Sequence, residues 1–120
     1  MTGLRFLLDE NMPHAVRDHL LLREPAIQVI AVGDVDAPAL GTPDPDILVW
    51  LGVNGAVLVS RNRRTMPVHL RDHLAAGNHV PGILLIRRRY TWGQVIDDLY
   101  LIWDASTPDE YRDRIEYLPL

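Results

Sequence analysis

Residues 56–59 (AVLV) and 82–86 (GILLI) form two short stretches of this chain with no polar side chain at all. A strand with one wet face alternates apolar and polar residues, so an unbroken apolar run leaves no face for water. Such runs belong to strands covered on both sides, as in a parallel sheet held between two layers of helices. Residues 4–8 (LRFLL) and 27–32 (IQVIAV) read as two more strands of that sheet.

Helical stripes fill the gaps between these runs. Met12, Val16 and Leu20 recur at i, i+4 and i+8, with Asn11 as candidate N-cap and Pro13 in the first turn. Residues 33–43 carry two prolines and two glycines and read as a loop. Asp44 then caps a helix with Pro45 at its first position; Ile47, Leu48 and Leu51 form its buried face, and Gly55 ends it. Met66, Leu70 and Leu74 mark a third helix that stops at Gly77. Thr91 and Gln94 make a capping box for the last long helix, whose core-facing stripe is Trp92, Val95, Ile96, Leu99, Ile102 and Trp103. The tail alternates Arg114, Ile115, Glu116 and Tyr117 and reads as an added edge strand. Strand and helix alternate through a chain of 120 residues, the size of one domain spanning 1–120, with right-handed crossovers expected throughout.

Several chemistries are excluded by what the chain lacks. Without cysteine there is no disulfide, thiolate zinc site or cysteine nucleophile. All twelve basic residues are arginine, so the phosphate-binding lysine of a P-loop and the amine of a Schiff-base enzyme are both missing. A phospho-accepting receiver-like domain, which needs a lysine at a late strand end, goes with them. The net charge of −4 argues against an indiscriminate nucleic-acid binder. The apolar run after Met-Thr-Gly is too short for a signal-peptide core and no segment approaches a membrane span, so a cytoplasmic location and no membrane partner are expected.

A parallel sheet brings its strand ends to one edge, where open α/β folds place their ligands. Asp9, Glu10 and Asn11 follow the first run; Ser60, Arg61, Asn62, Arg63 and Arg64 follow the third; Arg87, Arg88 and Arg89 follow the fourth. Asp44 and Asp46 open a helix near the same edge. Six of the twelve arginines thus gather beside a small group of acids. Mg²⁺ and Mn²⁺ take oxygen ligands, usually one or two carboxylates with water and substrate phosphate. A carboxylate centre with an arginine rim suits phosphodiester hydrolysis, the arginine forks holding phosphates.

The run Leu7-Leu8-Asp9-Glu10-Asn11-Met12-Pro13, the helix start Pro43-Asp44-Pro45-Asp46-Ile47-Leu48-Val49-Trp50, the strand Val57-Leu58-Val59-Ser60-Arg61-Asn62 and the ending Arg114-Ile115-Glu116-Tyr117-Leu118-Pro119-Leu120 resemble the short PIN-like proteins over nearly the whole chain. That resemblance implies a Rossmann-like three-layer α/β/α fold with a mainly parallel sheet of four to five strands. It also implies Mg²⁺- or Mn²⁺-dependent ribonuclease chemistry, often as the toxin of a bacterial toxin–antitoxin pair. By position, Asp9 is the first metal-site acid and Asp44 the second. Asn62 stands where the family usually carries an aspartate, as a weak third ligand or a group that positions water. Arg61, Arg63, Arg64 and Arg87 are the candidate RNA-binding residues, with single-stranded RNA, an antitoxin protein and a second copy of the chain as candidate partners. A catalytically inactive PIN-like module that binds RNA or protein is the alternative.

Each residue also has a plainer role. Asp9 could satisfy backbone donors in a strand-to-helix turn, Asp44 could act only as a cap, and Asp46 could complement the helix dipole. The arginines could form a solvated rim. His69 and His73 share the i, i+4 spacing of a helical metal pair, but they lack the HExxH glutamate and a third ligand and read as surface residues. Ser60 has no nucleophile-elbow context and reads as a structural hydroxyl.

Overall fold

The computed structural model describes residues 4–120; the Met-Thr-Gly start lies outside them. The elements alternate as β1 (Arg5–Leu8), α1 (His14–Arg23), β2 (Gln28–Ala31), α2 (Asp44–Asn54), β3 (Val57–Ser60), α3 (Met66–Ala75), β4 (Ile83–Ile86), α4 (Trp92–Ala105) and β5 (Ile115–Leu118). All neighbouring strands pair in parallel, in the order β2-β1-β3-β4-β5. This is a Rossmann-like three-layer α/β/α fold.

The apolar runs do what their composition requires. In β1, β3 and β4 successive side chains enter opposite layers. Phe6, Leu8, Val57, Val59, Leu84 and Ile86 pack with Val16 and Leu20 of α1 and Val95, Leu99, Ile102 and Trp103 of α4. Leu7, Leu58, Ile83 and Leu85 pack with Ile47, Leu48 and Leu51 of α2 and Met66 and Leu70 of α3. Each strand is only four residues long, and the interior ones are sealed on both sides. The expected edge strand is β5, lying parallel beside β4.

One expectation fails at the level of handedness. The crossovers through α1, α2 and α3 share one hand, since α1 runs from β1 toward β2 on one face while α2 and α3 run the opposite way on the other. By contrast, α4 runs from β4 toward β5 in the direction of α3 but on the face of α1, so its crossover has the opposite hand. The rule favouring one hand rests on strand twist feeding a compact connection back onto the sheet. Here residues 87–114 provide a long connection, and α4 is tied to α1 by an Arg23–Asp97 ion pair and by Arg23 lying 4.4 Å from the centre of the Tyr100 ring.

Local boundaries shift for identifiable reasons. Pro13, not Asn11, precedes the first helical residue of α1, and Met12 is buried in the turn ahead of it. Pro43, not Asp44, is the N-cap of α2; its carbonyl accepts the N–H groups of Asp46 and Ile47, which leaves the Asp44 carboxylate for other contacts. Ser60 belongs to β3 rather than to the turn beyond it. Gly55 ends α2 in the left-handed region at φ 68°, and the Thr91–Gln94 capping box opens α4. Among the described residues no helix is long and apolar enough to cross a membrane.

The segment returning from α4 to β5 is fastened at its end by Asp113, at φ 60°. Its carboxylate accepts the Val80 N–H at 2.9 Å and lies 2.7 Å from His79 Nδ1. Partial burial opposes ionisation of Asp113, but the Val80 N–H, the His79 ring and Arg112 together outweigh it, so its pKa lies below the usual carboxylate value. A depressed carboxyl pKa adds stability above the unfolded value of about 4 and loses it as pH falls through the folded value. Melting temperature should therefore fall more steeply from mildly acidic to strongly acidic pH in the wild type than in Asp113→Asn, which tolerates the same backbone conformation. Superimposable acid limbs would remove Asp113 from this role.

Candidate functional site

The order of strands reverses between β1 and β3, because β1 leads outward to β2 while β3 leads the other way to β4. Connections diverge there and leave a crevice beyond the carboxyl ends of the two strands. Asp9 follows β1 and Ser60 ends β3, so both reach that crevice.

A continuous set of hydrogen bonds joins two carboxylates across it. Asp9 is 6% exposed; its Oδ2 accepts the Ser60 hydroxyl at 2.7 Å and its Oδ1 accepts the Glu10 N–H at 2.9 Å. Ser60 Oγ in turn accepts the Asn62 N–H at 3.0 Å. The Asn62 side-chain amide nitrogen donates to Asp44 Oδ2 and to Thr65 Oγ1, each at 2.7 Å, while its carbonyl oxygen accepts the Thr65 N–H at 3.3 Å. His69 Nε2 stands 3.8 Å from Asp44 Oδ2. Burial pushes the pKa of Asp9 up, the Ser60 and Glu10 bonds pull it down, and the charges of Asp44 and Glu10 raise it; the net shift is upward.

Sequence reasoning placed Asp9, Asp44 and Asn62 at one edge, and the fold brings them into a single network. It missed two members. Thr65 caps the start of α3 three residues after Asn62, and that spacing was the available signal. His69 was paired with His73 by helical spacing, but the two part company: His69 sits beside Asp44, whereas His73 is buried, with Nε2 3.4 Å from the His79 carbonyl. A surface location for His73 is thus wrong. The Glu10 carboxylate accepts the Gly41 N–H at 2.9 Å and so pins the 33–43 loop.

The arginines divide by their contacts. Arg17, Arg23, Arg71, Arg112 and Arg114 each have a carboxylate partner, and Arg5 donates to the Asn54 carbonyl. Among the described residues none of the six arginines after β3 and β4 has a carboxylate partner. Arg63 donates to the Ile86 carbonyl and Arg87 to the Pro119 carbonyl, which tie the two turns to the sheet. Arg61 reaches the Tyr90 hydroxyl, and Arg64, Arg88 and Arg89 lie exposed.

The donor set limits what cation could bind. Among the described residues no group of three or more His, Asp or Glu side chains is placed to hold a metal ion. Asn62 turns its carbonyl oxygen to the Thr65 backbone and its nitrogen to Asp44. Asp9 and Asp44 remain, and Mg²⁺ commonly binds through one or two carboxylates while keeping several waters. The residues fit a largely hydrated hard cation and not a fully caged one. No protein-family model, curated protein or solved structure matches the chain.

Proposed function

We propose that this protein is a PIN-like, Mg²⁺- or Mn²⁺-dependent ribonuclease acting on single-stranded RNA, of the kind that serves as the toxin of a toxin–antitoxin pair in the cytoplasm. The observation that carries the reading is the Asp9–Ser60–Asn62–Asp44 network at the reversal of strand order, beside arginines that no carboxylate neutralises. Asp9 and Asp44 would hold the cation, which when bound supplies Lewis-acid activation of water and offsets charge on the phosphate. Ser60 fixes the Asp9 carboxylate and Asn62 fixes that of Asp44, as partners behind metal ligands do. The arginine forks of Arg61 and Arg64 would hold phosphate oxygens, with Arg63 and Arg87 bracing the turns.

One observation favours a second reading, a catalytically silent PIN-like module that binds RNA or protein. The Asn62 amide supplies a donor to Asp44 where a third carboxylate would have supplied charge for a cation. A Mn²⁺ titration by calorimetry, run beside cleavage of single-stranded RNA, separates the two. The ribonuclease reading expects measurable binding by the wild type and binding about tenfold or more tighter in Asn62→Asp, since an added charge near a dication is worth roughly several kcal/mol before solvation offsets it. No heat with the wild type, together with binding by Asn62→Asp, would establish the silent module.

A further inference from the structure

The turns that follow β3 and β4 meet over the start of α4, and two aromatic rings lie there. Tyr90 and Trp92 pack edge to face with centroids 4.7 Å apart. The Arg61 guanidinium donates to the Tyr90 hydroxyl at 3.2 Å and lies 6.0 Å from the centre of the Trp92 ring. Trp92 is half-buried and also borders a separate open cavity between α1 and α4, lined further by Pro13, Val16, His19, Arg23 and Asp97; Arg61 and Tyr90 lie outside that lining. Arg61 itself directly follows Ser60, whose hydroxyl bonds Asp9, so this cluster stands next to the crevice along the chain.

We infer that Arg61, Tyr90 and Trp92 form a stacking site for a nucleobase of single-stranded RNA, next to the phosphate held at the Asp9–Asp44 crevice; the position of that phosphate rests on the ribonuclease reading. Every base has a π face, so stacking on an aromatic ring holds RNA with little regard to sequence, and an arginine plane adds to it. Arg64, Arg88 and Arg89 are exposed without a carboxylate partner and can meet the flanking phosphates. Those guanidinium groups favour a polyanion as the ligand of this edge. A base inside a duplex keeps its faces covered by its neighbours, so the site selects unpaired strands.

Binding of a labelled single-stranded oligoribonucleotide, followed by fluorescence anisotropy in chelator so that cleavage cannot intervene, tests this. Trp92→Ala should weaken binding by about tenfold or more, Trp92→Phe should stay within about threefold of wild type, and a duplex of the same sequence should bind more weakly than the single strand. An abasic nucleotide at the stacked position should weaken binding to wild type and have little further effect in Trp92→Ala. Thermal melts of both variants exclude unfolding as the cause. Equal affinity of wild type and Trp92→Ala, or no binding by the wild type, overturns the inference. The two readings fail separately. Cleavage in Mn²⁺ that ignores Trp92 removes the stacking site and keeps the ribonuclease, whereas Trp92-dependent binding without any cleavage does the reverse.

Discussion

Asp9→Asn is expected to reduce Mn²⁺-dependent RNA cleavage by more than about a hundredfold, beyond the range usual for residues that merely support a metal ligand. The same change should leave thermal stability within about 1 kcal/mol of wild type or raise it. Asp9 is buried and ionises against the cost of desolvation and against the charges of Asp44 and Glu10. An amide removes that cost and still offers an acceptor to the Glu10 N–H or the Ser60 hydroxyl. A carboxylate kept for structure would behave in the opposite way, its loss lowering the melting temperature. Unchanged cleavage would sink the catalytic assignment; a sharp fall in stability would reassign Asp9 to the turn between β1 and α1.

The second large effect is expected at Gly82, directly before β4. A β-carbon there would lie 2.7 Å from the Tyr111 Cβ and 2.9 Å from the Tyr111 carbonyl oxygen, and the backbone stands at φ 154°. The Tyr111 side chain is itself buried in the layer shared by α1 and α4, and its hydroxyl bonds Ser106 at 3.2 Å. Gly82→Ala must therefore displace backbone rather than a flexible side-chain tip. A loss of about 3 kcal/mol, read from denaturant unfolding, is expected. If the loss stays below about 1 kcal/mol, the segment between α4 and β5 is held more loosely than its packing implies. The same glycine lets this segment pass close beside the start of β4.

The sheet was legible because strands sealed on both faces must be apolar throughout, and AVLV and GILLI admit few other readings. Helix faces were legible in the main: of the stripe expected on α4, Val95, Leu99, Ile102 and Trp103 are buried, while Trp92 and Ile96 at its margin are only half-buried. The hand of the α4 crossover was not, since it depends on which layer buries the apolar stripe of α4, which no local pattern encodes. At the candidate site, parallel strands forced Asp9 and Ser60 to one edge, and that much followed from the chain. The direction of the Asn62 amide did not. It is fixed by Thr65 and Asp44 acting together across eighteen positions of sequence. Likewise, a run of arginines looks the same in sequence whether its guanidinium groups brace backbone carbonyls, as at Arg63 and Arg87, or face solvent, as at Arg64.

The uneven pairing of the arginines gives the molecule an electrical polarity that its net charge conceals. The chain as a whole is acidic at −4, yet six of its twelve arginines follow β3 and β4 at the edge that also carries Asp9, Glu10, Asp44 and Asp46, so the cationic charge is concentrated rather than spread. If RNA is the ligand, that concentration would orient the protein on approach and make productive encounters more frequent than chance orientation allows. Such attraction acts over about the Debye length, roughly 8 Å at physiological ionic strength. Added salt would weaken the guidance and slow correct capture.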